Sequence, residues 1–154
     1  MERSKKIVAP IVVVVADASV IVKWFVDEEN TENALALRQL YIDGKVEIAV
    51  PHLLPYEVLN ALRYNPEFGE EQVKIASKAL EKYQLWLYPV LGDLAALCVQ
   101  NSFAYGISLY DSSYISLAEY LDATLYTADE RILAKVVMMK GKGENFRHIS
   151  DLKI

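Results

Sequence analysis

Four consecutive valines at positions 12–15 constrain the fold of this chain more than any other feature of its sequence. β-branched side chains favour strands, and a strand without polar alternation is apolar on both of its faces. Other elements must then cover both faces, as they do for an inner strand of a parallel sheet. We therefore predict a buried strand at residues 11–16, in the interior of an α/β fold.

The rest of the chain alternates short apolar segments with segments of helical periodicity. Strands that alternate with one or two helices form mostly parallel sheets, because parallel strands need crossover connections. The predicted fold class is α/β, with a central, mostly parallel sheet of four or five strands. We predict strands at residues 11–16, 47–50, 85–90, 124–126 and 146–149, and helices at residues 18–26, 31–42, 53–64, 70–84, 93–105, 108–121 and 129–137.

The length of 154 residues is that of one domain, and no repeat or linker divides the sequence. We predict a flexible extension at residues 1–9 and a single domain over residues 10–154. The N-terminal apolar stretch is too short to span a membrane and Pro10 interrupts it, so a strand is favoured over a secretion signal. Cys98 is the only cysteine, which excludes an intramolecular disulfide and predicts a cytoplasmic protein.

Four acidic residues lie near the carboxyl ends of predicted strands or the starts of predicted helices. Asp17 directly follows the valine strand, and Asp129 follows the strand predicted at residues 124–126. Helical spacing places Glu57 and Asp111 beside apolar residues. A buried carboxylate is costly without a cation or hydrogen bonds, and parallel sheets carry their functional groups at this edge. The four acids are therefore candidates for one functional site.

Each acid also has a structural interpretation when it is considered alone. An aspartate between a strand and a helix commonly caps the helix, which would explain Asp17. An acid in the first turn of a helix interacts favourably with the helix dipole, which would explain Asp111. The other structural alternatives are a capping box of Thr127 with Glu130 beside Asp129, and an ion pair of Glu57 with Arg63 or Lys23.

As a group, the acids are more informative than they are singly. Four carboxylates that converge without cations repel one another strongly. Oxygen ligands without histidine or cysteine suit Mg²⁺ or Mn²⁺, and one or two such ions beside a phosphodiester would activate water and stabilise the leaving oxygen. The pattern therefore favours a hard divalent cation and phosphodiester chemistry.

Four short segments carry these acids in chain order, namely VADAS at residues 15–19, PYEVLNAL at 55–62, LYDSSY at 109–114 and YTAD at 126–129. They resemble the four acidic motifs of the PIN-domain ribonucleases, and among these they are most similar to the VapC-type toxins. The resemblance extends over residues 12–149, nearly the whole chain. No single motif is specific, but four motifs in register are.

The resemblance implies a three-layer αβα PIN-like fold and a metal-dependent endoribonuclease with Mg²⁺ or Mn²⁺ as its cofactor. It implies the toxin of a toxin–antitoxin pair, with an RNA substrate, a small antitoxin protein and a second copy of the chain as partners. We place the homodimer interface on apolar helix surface at residues 31–42 or 70–84. The residues that the resemblance assigns to catalysis and to the metal are Asp17, Glu57, Asp111 and Asp129, with Ser19 and Thr127 as supporting hydroxyls.

The charge balance limits how such a chain could bind RNA. Its 16 Lys and Arg against 21 Asp and Glu give a net charge of -5, which argues against binding by bulk positive charge. The segment at residues 131–154 is locally basic, with six basic residues and two acids, and could bind phosphates or simply be solvated. The candidate RNA-binding residues are Arg131 and Lys135 from this segment, with Lys23 and Arg63.

Two alternatives to a nuclease remain at this point. One is a PIN scaffold without activity that binds RNA or a protein partner. The other is a haloacid-dehalogenase-like phosphatase, which needs a second aspartate two positions after the first, where this chain has Ser19. Three tyrosines flank the motif acids and could stack on bases or pack in the core: Tyr56, Tyr110 and Tyr114.

Overall fold

The computed structural model describes residues 11–140 and 145–152, which fold around a five-stranded sheet. The strands are β1 (Val12–Ala16), β2 (Val46–Pro51), β3 (Trp86–Tyr88), β4 (Thr124–Thr127) and β5 (Phe146–His148). The described pairings are all parallel, and the strand order is β3-β2-β1-β4-β5. The predicted α/β class is therefore confirmed, whereas the predicted extension at residues 1–9 lies outside the described residues.

The helices form two layers, one on each face of this sheet. From β1 the chain crosses to β2 and β3, and it then returns past β1 to β4 and β5. Because parallel crossovers are right-handed, the first four helices and the last three cover opposite faces. No helix in the described ranges is both long enough and apolar enough to cross a membrane. The helices are α1 (Ala18–Ile21), α2 (Thr31–Ile42), α3 (Leu54–Arg63), α4 (Glu70–Tyr83), α5 (Gly92–Tyr105), α6 (Leu109–Leu121) and α7 (Glu130–Lys140).

The core is built around β1, the central strand of the sheet. Val15 and Ala16 are fully buried, as the valine run predicts for a strand that is covered on both faces. The start of the predicted buried strand is exposed instead, because Ile11 and Val12 lie at the open end of the sheet, 52% and 59% exposed. On one face α6 packs against β1, β2 and β4, and its Ile115 and Leu117 are fully buried. The buried end of β1 is also its carboxyl end, so the core holds in place the residue that follows it.

Two predicted elements are only about half as long in the structure, each for a local reason. The helix predicted at residues 18–26 ends after one turn and tightens into a 3-10 turn at Val22–Trp24, where the indole of Trp24 donates to a backbone carbonyl of α2 at 2.9 Å. The strand predicted at residues 85–90 is limited to three residues, because Pro89 cannot donate to the sheet. Neither change moves the carboxyl ends of the central strands.

Candidate active site

The carboxyl ends of β1 and β4 are neighbours at the point where the chain leaves them towards opposite faces of the sheet. The backbone N–H of Asp17 donates to the carbonyl of Tyr126 at 3.2 Å, which joins the two ends. Ligand sites of parallel α/β folds lie at such switch points. A cavity of about 80 Å³ opens there, and its lining includes all four predicted acids, Asp17, Glu57, Asp111 and Asp129.

Asp17 is fixed by hydrogen bonds on both carboxylate oxygens. Its Oδ1 accepts from the Ser19 hydroxyl at 2.5 Å and from the backbone N–H of Val20 at 3.3 Å, and its Oδ2 accepts from the Thr127 hydroxyl. Asp17 therefore caps α1 and also lines the cavity. Its interpretation as a helix cap and its interpretation as a site acid are compatible. Desolvation by burial raises the pKa of Asp17 to about 6 against these hydrogen bonds, and the charge of Asp129 adds to the rise.

Ser19 and Thr127 also connect Asp17 to the start of α7. The Ser19 hydroxyl accepts from the backbone N–H of Ala128 at 2.8 Å, and the Thr127 hydroxyl accepts from the backbone N–H of Asp129 at 2.9 Å. The predicted capping box of Thr127 with Glu130 is wrong, because the hydroxyl of Thr127 turns to Asp17. The cap of α7 is instead the Asp129 carboxylate, which accepts from the backbone N–H groups of Arg131 at 3.0 Å and Ile132 at 3.3 Å.

Glu57 lies in the first turn of α3 and points to the same cavity from the opposite face of the sheet to α6. Its Oε1 accepts from the Tyr114 hydroxyl at 3.0 Å. Burial raises the pKa of Glu57, and the charges of Asp111 and Asp17 raise it further against the Tyr114 hydrogen bond. Burial and the same three carboxylates raise the pKa of Tyr114 as well, so its phenol remains a proton donor.

Asp111 and Asp129 form the open side of the cavity. Their side chains are 31% and 32% exposed, and both lie next to the guanidinium of Arg131. Its Nη2 is 3.6 Å from Asp111 Oδ2 and 3.5 Å from Asp129 Oδ2, so one exposed cation partly neutralises two of the four acids. The first turn of α6 carries Asp111, and Ser108 caps that helix by accepting from the Asp111 N–H at 3.0 Å.

Of the four basic residues proposed from sequence, the structure brings only Arg131 into contact with these acids. Lys23 is 8% exposed and its ammonium pairs with Glu28 at 2.9 Å, because the turn after α1 points inward. Its expected position at an RNA surface is therefore wrong, and so is its alternative pairing with Glu57. Lys135 donates to the carbonyl of Gly106 at 3.2 Å. Arg63 lies over the Tyr64 ring, 5.3 Å from its centroid.

The donor set of the cavity fits a hard cation in kind. It offers carboxylate and hydroxyl oxygens only. Burial raises the pKa values of Asp17 and Glu57, and the charges of neighbouring acids add to the rise. Within the described ranges, however, no three acidic, histidine or cysteine side chains approach closely enough to hold an ion as they stand. The carboxylates would therefore have to draw together around a cation.

The role of Tyr114 was not predicted from sequence, where packing in the core was the favoured interpretation. Tyr114 is buried, and its hydroxyl nevertheless reaches into the acidic cavity to donate to Glu57. The spacing contained a signal, because Tyr114 follows Asp111 by three residues and so lies on the same face of α6. The spacing could not show where α3 lies, and α3 carries Glu57, the acceptor of this hydrogen bond.

Comparisons with known proteins agree with this geometry. The PIN domain family matches residues 14–137. Ribonuclease VapC3 of Pyrobaculum aerophilum is 30% identical over 131 residues, which are 79% of this chain and 92% of that protein. Ribonuclease VapC9 of Mycobacterium tuberculosis is 27% identical over 122 residues, 77% of this chain and 87% of that protein. A toxin–antitoxin complex from Klebsiella pneumoniae shares the fold, with a TM-score of 0.65 at 14% identity over 90% of this chain and 99% of its own.

Fold and cavity thus define a parallel α/β domain with an acidic site at its switch point. The match to the PIN domain family covers most of the chain, and Ribonuclease VapC3 is matched over nearly all of its length. This chain belongs to the PIN domain family, within the group of VapC proteins. The resemblance drawn from the four sequence motifs is confirmed.

Proposed function

We propose that this chain is a divalent-metal-dependent endoribonuclease and the toxin of a toxin–antitoxin pair. The observation that carries the proposal is the single cavity shared by Asp17, Glu57, Asp111 and Asp129. Acids alone repel a phosphodiester, so such a cavity suits phosphodiester hydrolysis when a cation is bound. The names of the relatives, Ribonuclease VapC3 and Ribonuclease VapC9, support RNA as the substrate.

The cation in this proposal is Mg²⁺ or Mn²⁺, which the oxygen-only donor set supports. Asp17, Glu57 and Asp111 would hold the ion, and Asp129 would complete its ligand set or orient the attacking water. A bound ion would supply a lowered pKa of water and stabilisation of the leaving oxygen. Water would attack phosphorus in line, so that one phosphorus–oxygen bond forms as the bond to the leaving oxygen breaks.

The remaining side chains keep the acids in place. Each carboxylate oxygen of Asp17 accepts a hydrogen bond from a hydroxyl group, Oδ1 from Ser19 and Oδ2 from Thr127. These bonds keep the carboxylate in one orientation, and its remaining lone pairs stay available to a cation. Tyr114 does the same for Glu57. Arg131 is exposed beside the acids, where its guanidinium can bind a phosphate of the RNA once the cation has taken its place.

The partners and the compartment are part of the proposal. A small antitoxin protein as partner is supported by the toxin–antitoxin complex that shares this fold. A homodimer is supported by exposed apolar side chains in the two segments chosen from sequence, Ile42 at the end of α2 and Ile75 on α4. A cytoplasmic location is supported by Cys98, which is a free and buried thiol.

The test is cleavage of a fluorescent single-stranded RNA by the purified protein in Mn²⁺ and in EDTA. A circular form of the same RNA separates internal cleavage from attack at an end. Asp111→Asn is the test variant, and Asp93→Asn is the matched control, an exposed acid in the first turn of α5. We expect Mn²⁺-dependent opening of the circle by the wild type and by Asp93→Asn only. Equal cutting by all three proteins, or cutting in EDTA, would contradict the proposal.

Two observations favour a second candidate, a PIN scaffold that binds RNA or a protein without cutting it. Arg131 lies against two of the acids, and no three of the described ligand side chains are yet close enough for an ion. Tight RNA binding with no cleavage at any Mn²⁺ concentration would favour this scaffold. The phosphatase alternative has no such support, because Ser19 stands where the second aspartate is needed and donates its hydroxyl to Asp17.

A further inference from the structure

Two tyrosines beside the acidic cavity are strongly exposed. Tyr56 is 77% exposed and Tyr110 is 66% exposed, although each lies in the first turn of a helix whose other face packs on the core. Each directly precedes a site acid, Glu57 in α3 and Asp111 in α6. Neighbouring helix positions are about 100° apart around the helix axis, so each ring lies to one side of its acid. The core does not explain the position of either ring.

Both rings face a common groove that continues the acidic cavity outward. The groove has a volume of about 520 Å³, and Tyr56, Tyr110, Glu57 and Asp111 all line it. The two acids line the smaller acidic cavity as well, so the groove and the cavity share a wall. A nucleotide whose phosphate lies at the acids would therefore have its base in the groove.

The lining of the groove suits a nucleobase. Tyr56 and Tyr110 supply aromatic faces, and single-stranded RNA is commonly bound by stacking unstacked bases on such faces. The exposed amide of Asn60 and the hydroxyl of Ser108 lie in the same lining and can bond to the polar edge of a base. An apolar protein segment suits instead the neighbouring cavity of about 430 Å³ on the other side of the two rings, whose lining includes Val99 and Leu109. In the groove it would leave the polar groups and the two acids without partners.

We propose that Tyr56 and Tyr110 form a nucleobase subsite, which holds one unstacked base of the RNA beside the scissile phosphate. This inference rests on the proposed ribonuclease function. It adds that an unstacked base of the RNA determines which phosphate is cut. The two rings are positioning residues. They bind a base through its face, and Asn60 is the side chain that would discriminate between bases through their edges.

The first experiment measures binding without turnover. RNA oligonucleotides carry the fluorescent base 2-aminopurine at one position at a time. They are titrated with the wild type, Tyr56→Ala, Tyr110→Ala and the two Tyr→Phe variants in Ca²⁺, an oxygen-binding cation that neutralises the acids without the octahedral geometry of Mg²⁺. Tyr120→Ala is the matched control, an exposed tyrosine on α6 that does not line the groove. We expect quenching at one position with the wild type, Tyr120→Ala and both phenylalanine variants, and its loss with either alanine at Tyr56 or Tyr110.

The second experiment measures cleavage kinetics of the same proteins in Mn²⁺. The alanine variants should raise KM about 10-fold, which is the contribution of one stacked base to binding, and should leave kcat nearly unchanged. Phenylalanine at either position should restore the wild-type KM. An RNA with a single abasic nucleotide at the position that 2-aminopurine identifies should remove the difference between the wild type and the alanine variants.

The outcomes separate this inference from the proposed function. If the wild type cuts RNA and the alanine variants do so with the same KM, the subsite is wrong and the ribonuclease stands. If the wild type does not cut RNA, position-specific quenching in Ca²⁺ still supports the subsite, and its absence overturns it. If the alanine variants instead lower the mass of the protein in analytical ultracentrifugation and leave RNA binding unchanged, the tyrosines belong to a protein interface and the inference fails.

Discussion

The acidic cavity has a closed side and an open side, and the two sides are built differently. On the closed side, Asp17 and Glu57 are held by hydroxyl groups from three elements and both have raised pKa values. On the open side, Asp111 and Asp129 are about one third exposed and lie against Arg131. Hydroxyl groups therefore orient the first pair. An exposed guanidinium partly balances the charge of the second pair, in which backbone N–H groups also hold Asp129.

The difference separates two tasks that one cluster of acids has to perform. Oriented carboxylates fix where a cation is bound, but their desolvation makes the charged state costly until the cation arrives. Exposed carboxylates carry little of that cost, because water screens them. We therefore expect the closed side to decide the position and affinity of the metal, and the open side to modulate its exchange with the guanidinium.

The largest expected effect comes from removing one charge on the closed side. Asp17→Asn should lower the single-turnover cleavage rate in Mn²⁺ roughly 1,000-fold, as the loss of a central electrostatic group does. Asp129→Asn should lower it only about 10-fold, because this carboxylate is exposed and completes the shell. Asp27→Asn, an exposed acid outside the cavity, is the control. Equal losses for Asp17→Asn and Asp129→Asn would remove the distinction between the two sides.

The next effect tests whether orientation of Asp17 matters apart from its charge. Thr127→Val keeps the shape of the side chain and removes the hydroxyl that donates to Asp17 and accepts from the Asp129 N–H. Mn²⁺ should bind about 10-fold to 100-fold more weakly, the usual cost of losing a partner behind a metal ligand. Titration calorimetry measures this, with Thr124→Val on the same strand as control. An unchanged Mn²⁺ affinity in a folded Thr127→Val protein would show that the charge alone suffices.

The sequence predicts much of this arrangement, for reasons that can be traced to particular residues. The valine run identifies β1 as the central strand, and the acid after it then has to lie at the functional edge of the sheet. The order of strands and helices predicts a parallel sheet, which brings the carboxyl ends of its strands to one edge. Only the structure shows that β1 and β4 are neighbours there. These inferences need only local periodicity and the topological rules of parallel sheets.

The side-chain partners were not predictable in the same way. Thr127 fits a local capping box, but its hydroxyl bonds to Asp17, which is 110 positions away. Tyr114 donates to Glu57 across 57 positions. Lys23 has the charge of an RNA ligand, yet the turn after α1 buries it against Glu28. Local sequence patterns indicate hydrogen-bond partners that lie near a residue in the chain. The tertiary fold supplies other partners from distant parts of the chain, and no local pattern contains them.

A smaller effect concerns the pH dependence of stability without metal. Because the pKa of Asp17 is about 6 in the folded protein and 3.8 as its ordinary value, ionising it costs folding free energy. Stability should fall as pH rises from about 4 to about 6 and lose nothing more from this group above that range. Asp17→Asn should therefore be about 2–3 kcal/mol more stable than the wild type at pH 7.5 in EDTA, with most of that difference gone near pH 4. Urea unfolding at both pH values measures this.

The control for that measurement is Asp27→Asn, whose stability should follow the wild type at both pH values. Glu57 should act in the same direction as Asp17, because burial raises its pKa as well. A wild type that gains stability between pH 4 and pH 6 relative to Asp17→Asn would mean that Asp17 is stabilised as an anion, and the closed side would then need no cation.

The smallest effect tests the open side through Arg131. Exposed ion pairs contribute about 0–1 kcal/mol, so Arg131→Gln should tighten Mn²⁺ binding by no more than about 5-fold at low salt, and by nothing in 0.5 M salt. Lys135→Gln makes the same change of charge one turn further along α7, where the ammonium bonds to the Gly106 carbonyl instead of the acids, and should leave the affinity unchanged. At saturating Mn²⁺ the same Arg131→Gln variant should have a higher KM for RNA, because the guanidinium then binds phosphate. Tighter Mn²⁺ binding together with a higher KM for RNA would show that the guanidinium competes with the metal for the acids and binds the RNA phosphate once the metal is present. Weaker binding of both Mn²⁺ and RNA would show instead that Arg131 stabilises the structure of the site.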